Sequence, residues 1–561
     1  MTGVSLSSTV RANTWWLVPV LASCALFTVV TGGRVDLHTD SIYYLSCAET
    51  LIHRHELGAG AYFSERIARA SNGERVRDLR RWPAEPAEPG EADGVPPEVA
   101  SYTAWPPGFP VFLAAFVGAF PSRAAATFAA MLTSYALLAL GAALLGRALG
   151  GTSFGMGALA VVASPYLFDA GTCFLGSDVV CTALLLLSLA ALVSWARTPS
   201  ALALAAAMAC AIAAAYVRYL ALLVVPVIAV LVAAAAWRRR LVGRAAAVQL
   251  VIAAVPAPLA MAPLLLRNLR ETGFLFGTER LPSDRGLLGN VEDVARSTLR
   301  ALPLSFDAVP GKLDLVVSGA ITVLFVVLVA TYVRSEQAIA PEPSERRALV
   351  PVVFFGALYV AALVAVRTRT LADELEARLL LPALVSLTVA GMLVGGRMVR
   401  PDARVRVGAA LVALLSLATL SEVPAEQARV EARAERAEAR AAELRALLED
   451  GTADSAAALL FSDRAFEVSA AIGGTVHWLP APSRVPAIEA HAQGRPMAFV
   501  LQRSSSFFPC RAMESAYEKW LARSARATRR GDTFDVYWVE GGGADPGAVE
   551  QACDDRYAAA E

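Results

Sequence analysis

Long apolar runs dominate the chain, separated by short stretches rich in arginine, proline and glycine. Backbone amides cannot stay unpaired in hydrocarbon, so each apolar run of about 17 to 25 residues reads as a helix that crosses a bilayer. The runs centre on Trp15 to Val30, Ala124 to Leu145, Phe154 to Phe168, Val179 to Trp195, Ala201 to Tyr216, Tyr219 to Trp237, Ala245 to Leu266, Leu315 to Val333, Leu349 to Val366, Leu379 to Val394, and Val407 to Leu420. This pattern predicts an α-helical polytopic membrane protein of about eleven transmembrane helices, with a small soluble α/β domain after the last one. The first run follows a polar segment holding Arg11, but no small-residue cleavage site follows it, so it is expected as an uncleaved first helix.

One further run, Ala104 to Phe120, is too short beyond Pro110 to span, covering about a third to a half of a bilayer. Charge decides its place. If it does not cross, the clusters Arg238 to Arg240 with Arg244, Arg346 and Arg347, and Arg397, Arg400, Arg404 and Arg406 fall on the side of Arg11, as do Arg147 and Arg197. That is the positive-inside pattern, so the run is expected as an interfacial helix on the outer leaflet, entered through Pro106, Pro107 and Gly108.

The outer face then collects a long first loop, about residues 32–123, and the connections Ser164 to Asp178, Arg267 to Lys312 and Arg367 to Arg378. Residues 1–420 are expected as the membrane domain and residues 421–561 as an extracytoplasmic tail. The tail opens with the stretch EARAERAEARAAELRALLED, read as a solvated helix and spacer. The runs AALLFSD, TVHWLP, MAFVLQ and TFDVYWVE follow as strands of a small α/β layer.

Composition agrees with a lipid solvent: 56% of residues are hydrophobic, and mean hydropathy is +0.50. Fifty basic residues balance fifty acidic ones, so the global charge gives no reason to expect a nucleic-acid partner. The seven cysteines show no CxxC pair or zinc-ligand spacing. Cys510 and Cys553 both lie in the tail, where an oxidising compartment would allow a disulfide between them.

Ionisable residues at membrane depth or at helix ends are costly, which singles out a few positions. Asp40 stands just past the first helix, before Tyr43 and Tyr44, and Asp178 opens a later one; each could simply cap its helix. The expected topology places both on one membrane face, where two carboxylates could share a divalent cation, Mg or Mn, or divide the work of base and orienting group. Arg123, Arg218, Arg267 and Arg378 adjoin helix ends on the same face, suited either to headgroups or to a lipid-linked phosphate. Asn268 beside Arg267 adds a second hydrogen-bonding group ahead of Gly273 and Gly277. His53 and His55, two apart, would point to different faces of a helix, which argues against a histidine metal centre. Walker A, GxGxxG and GxSxG sequences do not occur where nucleotide or serine-hydrolase chemistry would need them.

The ordered series HTDSIYY, YTAWPPGFPVFLAAF, GSDVV, YVRYLALLVVP, LLLRNLRETGFLFG and DELEARLLLPAL resembles the GT-C superfamily of polytopic glycosyltransferases. Within it, the chain is most similar to the branch of protein O-mannosyltransferases and lipid A aminoarabinose transferases. The resemblance covers roughly residues 15 to 420, and LLFSDRAFEVSAAIGGTVHWLP is similar to the outer domain of bacterial members. It implies transfer of a sugar from a polyprenyl-phosphate donor to a glycan, lipid or protein acceptor on the non-cytoplasmic face of an inner or plasma membrane, with inversion. It implies a base or metal-associated role for Asp40, matches Asp178, the second catalytic candidate, to the family's acidic residue at the start of a later helix, and places Arg267 and Arg378 near the donor phosphate, where Asn268, Arg218 and Arg123 are further candidates. Tyr43, Trp105, Pro107 and Phe109 are expected along the groove for acceptor or lipid chain. The chain departs from the family in the insert RWPAEPAEPGEADGVPPE, and in Trp105, which stands where a charged residue usually precedes the double proline.

Two other classes compete with an enzyme. A transporter or flippase of a lipid-linked saccharide would show paired halves and polar residues near the midplane, whereas the polar residues here gather on one face. A non-catalytic assembly protein would use the tail as a docking module and transfer no sugar.

Overall fold

The computed structural model describes residues 17–35, 39–60, 99–101, 105–151, 175–238, 240–277, 286–301, 343–370 and 377–398, and in the C-terminal part chiefly 435–449, 458–462, 476–478, 496–503 and 525–539. The expected spans Phe154 to Phe168, Leu315 to Val333 and Val407 to Leu420 lie outside these residues, as do Cys173, Cys510 and Cys553. The chain forms two compact units, one from residues 1–36, 105–267 and 282–430, the other from 37–104, 268–281 and 431–561.

The first unit is helical. Its described helices are α1 (Leu17–Thr31), α3 (Gly108–Ala119), α4 (Arg123–Gly150), α5 (Ser177–Arg197), α6 (Ala201–Val217), α7 (Val224–Trp237), α8 (Gly243–Ala254), α9 (Pro256–Thr272), α10 (Leu287–Ala301), α11 (Pro343–Arg369) and α12 (Ala377–Met398); α2 (Thr39–Arg54) belongs to the second unit. Among the described residues, five apolar helical stretches are long enough to cross a membrane: Arg123–Gly150, Ser177–Arg197, Tyr219–Trp237, Gly243–Glu271 and Arg347–Arg369. Each coincides with an expected span. With 12 residues, α3 rises about 18 Å and falls short of a crossing, as the sequence implied.

Solvent preference is inverted on the outer helices. Helix α8 buries Gln249 and Ala253 while Val248, Leu250 and Val251 stay exposed. Trp195 Nε1 donates to Gln249 Oε1 at 2.7 Å, so the amide in the middle of α8 is satisfied inward and hydrocarbon faces out. Small residues let the central helices touch: a Cβ on Gly141 of α4 would lie 3.0 Å from the Ala183 carbonyl oxygen of α5. Helices α4 and α5 run parallel, and the Arg197 guanidinium at the end of α5 donates to Leu149 O at the end of α4. The expected intervening crossing requires this arrangement. Helix α6 runs antiparallel to α5, with Ser188 Oγ donating to Ala207 O at 2.7 Å.

The two ends of this bundle differ. One gathers Arg147, Arg197, Arg238, Arg240 and Arg347. Burial, followed by the like charges of Arg347 and Arg238, pulls the pKa of Arg240 below the ordinary guanidinium value, so the end of α7 and the start of α11 share this basic end. The opposite end holds the starts of α3 and α5 and the end of α6.

In the second unit, α2 carries Asp40 in its first turn and ends at His55, whose φ of 59° is the left-handed turn that commonly closes helices. Strands β1 (Gly58–Gly60) and β2 (Val99–Ser101) pair antiparallel. The C-terminal part forms a five-stranded sheet of order β4-β3-β5-β7-β6, from β3 (Leu459–Ser462), β4 (His477–Trp478), β5 (Met497–Gln502), β6 (Ala525–Arg530) and β7 (Phe534–Val539). Strands β4, β3 and β5 are parallel, and β7 and β6 are antiparallel to their neighbours. The four runs picked out as strands are β3, β4, β5 and β7. The Arg-rich β6 escaped notice because an edge strand needs no buried face, and its charges discourage further pairing.

Both faces of this sheet are covered. Along β5, Met497, Phe499 and Leu501 enter one apolar cluster while Ala498 and Val500 enter the other, the period of two that a pleated strand imposes. The charged helix α13 (435–449) buries Leu444 and Leu448 in the second cluster, so it is docked along one side and solvated on the other. Glu443 of α13 caps the β6–β7 turn: the backbone N–H groups of Thr533 and Phe534 donate to its Oε1 at 2.8 and 3.3 Å. Burial raises the pKa of this carboxyl, but the hydrogen bonds from Thr533, Phe534 and Asp532 outweigh burial and leave it below the ordinary glutamate value.

Candidate functional site

The feature with most chemical content lies at the end of the first unit opposite Arg147, Arg197 and Arg347. Helix α5 starts after Gly176, whose extended backbone (φ −143°, ψ 152°) lets Ser177 and Asp178 form the first turn. Helix α6 stops at Arg218, which leaves helical geometry (φ −149°, ψ 128°) while its own N–H still closes the last turn on Ala214 O at 2.8 Å. Because α5 and α6 are antiparallel, the start of one meets the end of the other. Arg218 Nη1 lies 2.5 Å from Asp178 Oδ1, and Arg218 Nε donates to Ser177 Oγ at 3.0 Å. Asp178 is 5% exposed and Arg218 is 21% exposed, so the carboxylate is enclosed and the guanidinium reaches the surface.

A third element is pressed onto this corner. A Cβ on Gly108, the first residue of α3, would sit 2.5 Å from Tyr216 O and 3.0 Å from Val217 N, inside contact distance of backbone that cannot retreat. Only glycine lets the Pro106, Pro107, Gly108 turn lie against the residues just before Arg218. Pro107 and Phe109 are buried there, and Trp105 is half-buried. Beyond them, Phe109, Phe112, Phe116 and Phe120 form an aromatic row along α3 and just past its end, with successive ring centroids 6.2, 5.1 and 6.5 Å apart, the middle pair edge-to-face and the outer two stacked, from a fully buried ring to an exposed one. On the other side, Tyr216 Oη donates to Ala260 O at 2.5 Å, which fixes the end of α6 against α9.

The remaining candidates are distributed. Arg123 is exposed at the first residue of α4, whose N-cap Ser122 accepts from Ala125 N. Arg267 is half-buried near the end of α9, and Arg378 is half-buried in the first turn of α12. In the same unit, α10 packs on α11 and α12, with Asn290 Nδ2 donating to Thr368 Oγ1 at 3.1 Å. Arg367 and Asp293 are buried on these elements, two charged residues not among the sequence candidates because both were expected in outer connections, Arg367 to Arg378 and Arg267 to Lys312, where the structure has helix. In the second unit, Asp40 is half-buried and Tyr43 is fully buried on α2. Asn268 is also fully buried there, and its Nδ2 donates to Leu275 O at 3.2 Å. That bond shapes the turn through Gly273 and Gly277, which both need positive φ, so Asn268 has at least a structural task.

A metal cage is not apparent in this donor set. Among the described residues, no group of three or more His, Cys, Asp or Glu side chains could hold an ion, and one oxygen of Asp178 is engaged by Arg218. A cation at Asp178 would have to compete with that guanidinium.

No family profile matches the sequence, and no curated protein matches it. Solved structures do match in fold. The crystal structure of ArnT from Cupriavidus metallidurans bound to undecaprenyl phosphate superposes with a TM-score of 0.57 at 11% identity, covering 94% of this chain and 98% of that one. The apo structure of the same protein covers the same shares at 14% identity and a TM-score of 0.44. Across almost its whole length, then, this chain adopts the fold of ArnT, the kind of polytopic fold that its resemblance to the GT-C superfamily implied.

Proposed function

We propose that the protein is a membrane glycosyltransferase that moves a sugar from a polyprenyl-phosphate donor to a hydroxyl acceptor on the non-cytoplasmic face. The observation that carries this reading is the enclosed carboxylate and surfacing guanidinium of Asp178 and Arg218 at one end of an ArnT-like bundle. A solved protein of that fold holds undecaprenyl phosphate. Arginine's planar fork matches phosphate oxygens, and next to low-dielectric hydrocarbon its field is little screened.

In the proposed reaction the acceptor oxygen bonds to the anomeric carbon as the bond from that carbon to the phosphate oxygen breaks. The acceptor proton passes to a carboxylate, and the polyprenyl phosphate departs with the bonding pair. A hydroxyl is a weak nucleophile at neutral pH, and a positioned base accelerates such steps about 10²- to 10⁴-fold. Asp40 is assigned that role, as the resemblance implies. The departing phosphate needs charge stabilisation, which falls to Arg218 with Arg267, Arg378 and Arg123 as further candidates. No step is routed through a metal. The outer part of the aromatic row of α3, toward Phe120, offers apolar surface for the isoprenoid chain near the water boundary.

The test is to incubate purified protein with a panel of polyprenyl-phosphate sugars, with and without Mg or Mn, and to measure release of the free carrier. Carrier release with none of the panel, from protein shown to be folded, would remove the transferase reading. Near-normal turnover by Asp40→Asn at equal protein level would remove Asp40 from the base role.

A further inference from the structure

We infer that Asp178 is a positioning residue, whose task is to hold the Arg218 guanidinium for the donor phosphate and not to take the acceptor's proton. The inference rests on the transferase reading and divides the labour that the sequence left shared between two aspartates.

The geometry is specific. Two adjacent nitrogens of one guanidinium are engaged by two consecutive residues of α5: Nη1 by the Asp178 carboxylate and Nε by the Ser177 hydroxyl. One contact would leave the group free to swing about its long side chain, whereas two fix the plane of the fork. The backbone behind Arg218 is fixed as well. Its N–H is bonded to Ala214 O at 2.8 Å, its carbonyl accepts from Ala221 N at 3.0 Å, and the two residues before it meet the Gly108 backbone.

Burial separates the roles. The carboxylate is enclosed at 5% exposure, so a bulky sugar acceptor has little access to it. The arginine keeps about a fifth of its surface, so an approaching ligand meets positive charge. Holding an arginine in place before the ligand arrives removes an ordering cost from binding, and the paired carboxylate offsets the penalty of keeping a cation partly out of water. Ser177, the serine of GSDVV, which was not among the candidate site residues, belongs to the same device.

The experiment measures undecaprenyl phosphate affinity and sugar-transfer pH profiles on the full-length protein in detergent. The variants are Asp178→Asn, Asp178→Glu and Ser177→Ala, each checked by thermal unfolding. Asp178→Asn is expected to weaken undecaprenyl phosphate binding about tenfold or more and to raise KM for the donor. Residual turnover should keep the wild-type pH profile, and Asp178→Glu should recover most of the binding. Ser177→Ala should weaken binding a few-fold with kcat nearly unchanged, and it keeps the test open if Asp178→Asn fails to fold. Unchanged affinity in Asp178→Asn, or in Ser177→Ala if only that variant folds, would overturn the inference, as would loss of the acidic limb of the pH profile in Asp178→Asn, the limb that ionisation of a carboxylate base sets. A wild-type protein that binds no undecaprenyl phosphate would instead sink the transferase reading itself.

Discussion

Two of the aspartate–arginine pairs among the described residues cannot be ranked from sequence. Asp178 and Arg218, in the helical unit, lie 2.5 Å apart with the carboxylate enclosed. Asp535 and Arg503, on the sheet of the other unit, lie 2.9 Å apart with the arginine 43% exposed. The chemistry is the same and the surroundings differ. Asp535 is 15% exposed and Arg503 keeps its water whether or not the partners meet, so the net contribution of the second pair is the smaller. The first pair has little water to fall back on, so removing one partner strands the other. Charges matter to this protein in proportion to what surrounds them.

The largest expected effect tests that contrast directly. Arg218→Leu leaves Asp178 enclosed without its cation and should cost about 3 kcal/mol or more, read as a lowered Tm in detergent. If the cost is no greater than that of breaking the exposed pair, the contrast between the two sites fails. Gly108→Ala comes next. Its methyl group would meet the Tyr216 carbonyl carbon at 2.7 Å, and the displaced turn should cost about 1–3 kcal/mol and lower donor affinity through Arg218.

Glu443 gives an intermediate case, a carboxylate satisfied by backbone N–H groups in place of an arginine. Glu443→Gln should loosen the β6–β7 turn by about 1 kcal/mol, visible as faster hydrogen exchange at Thr533 and Phe534. The folded-state pKa of Glu443 is depressed, so its contribution is fully present above the ordinary glutamate pKa and is lost as pH falls through the folded value. Protection in the wild type should therefore decline toward that of Glu443→Gln in acid, once intrinsic exchange rates are corrected for. The smallest effect belongs to Asp535→Ala, expected to stay under about 1 kcal/mol and to shrink further in high salt.

The apolar runs determined much of the architecture by themselves. Satisfying a backbone in hydrocarbon leaves few options, so the five long described spans, the short α3 and four of the five strands of the sheet were legible from composition and period. The acidic and arginine candidates at helix ends were legible too, because charge at membrane depth is costly enough to stand out. Their partners were not. Asp178 and Arg218 are 40 residues apart, and only the antiparallel packing of α5 on α6 brings them together and encloses one while exposing the other. The contact of Gly108 with the backbone before Arg218 left no mark in the sequence beyond a glycine after two prolines. The capping of the β6–β7 turn by Glu443 was hidden in a run of similar charged residues. Sequence shows which groups are expensive to place, because that cost is local. The tertiary structure decides which groups offset one another, because that depends on distances no periodicity encodes.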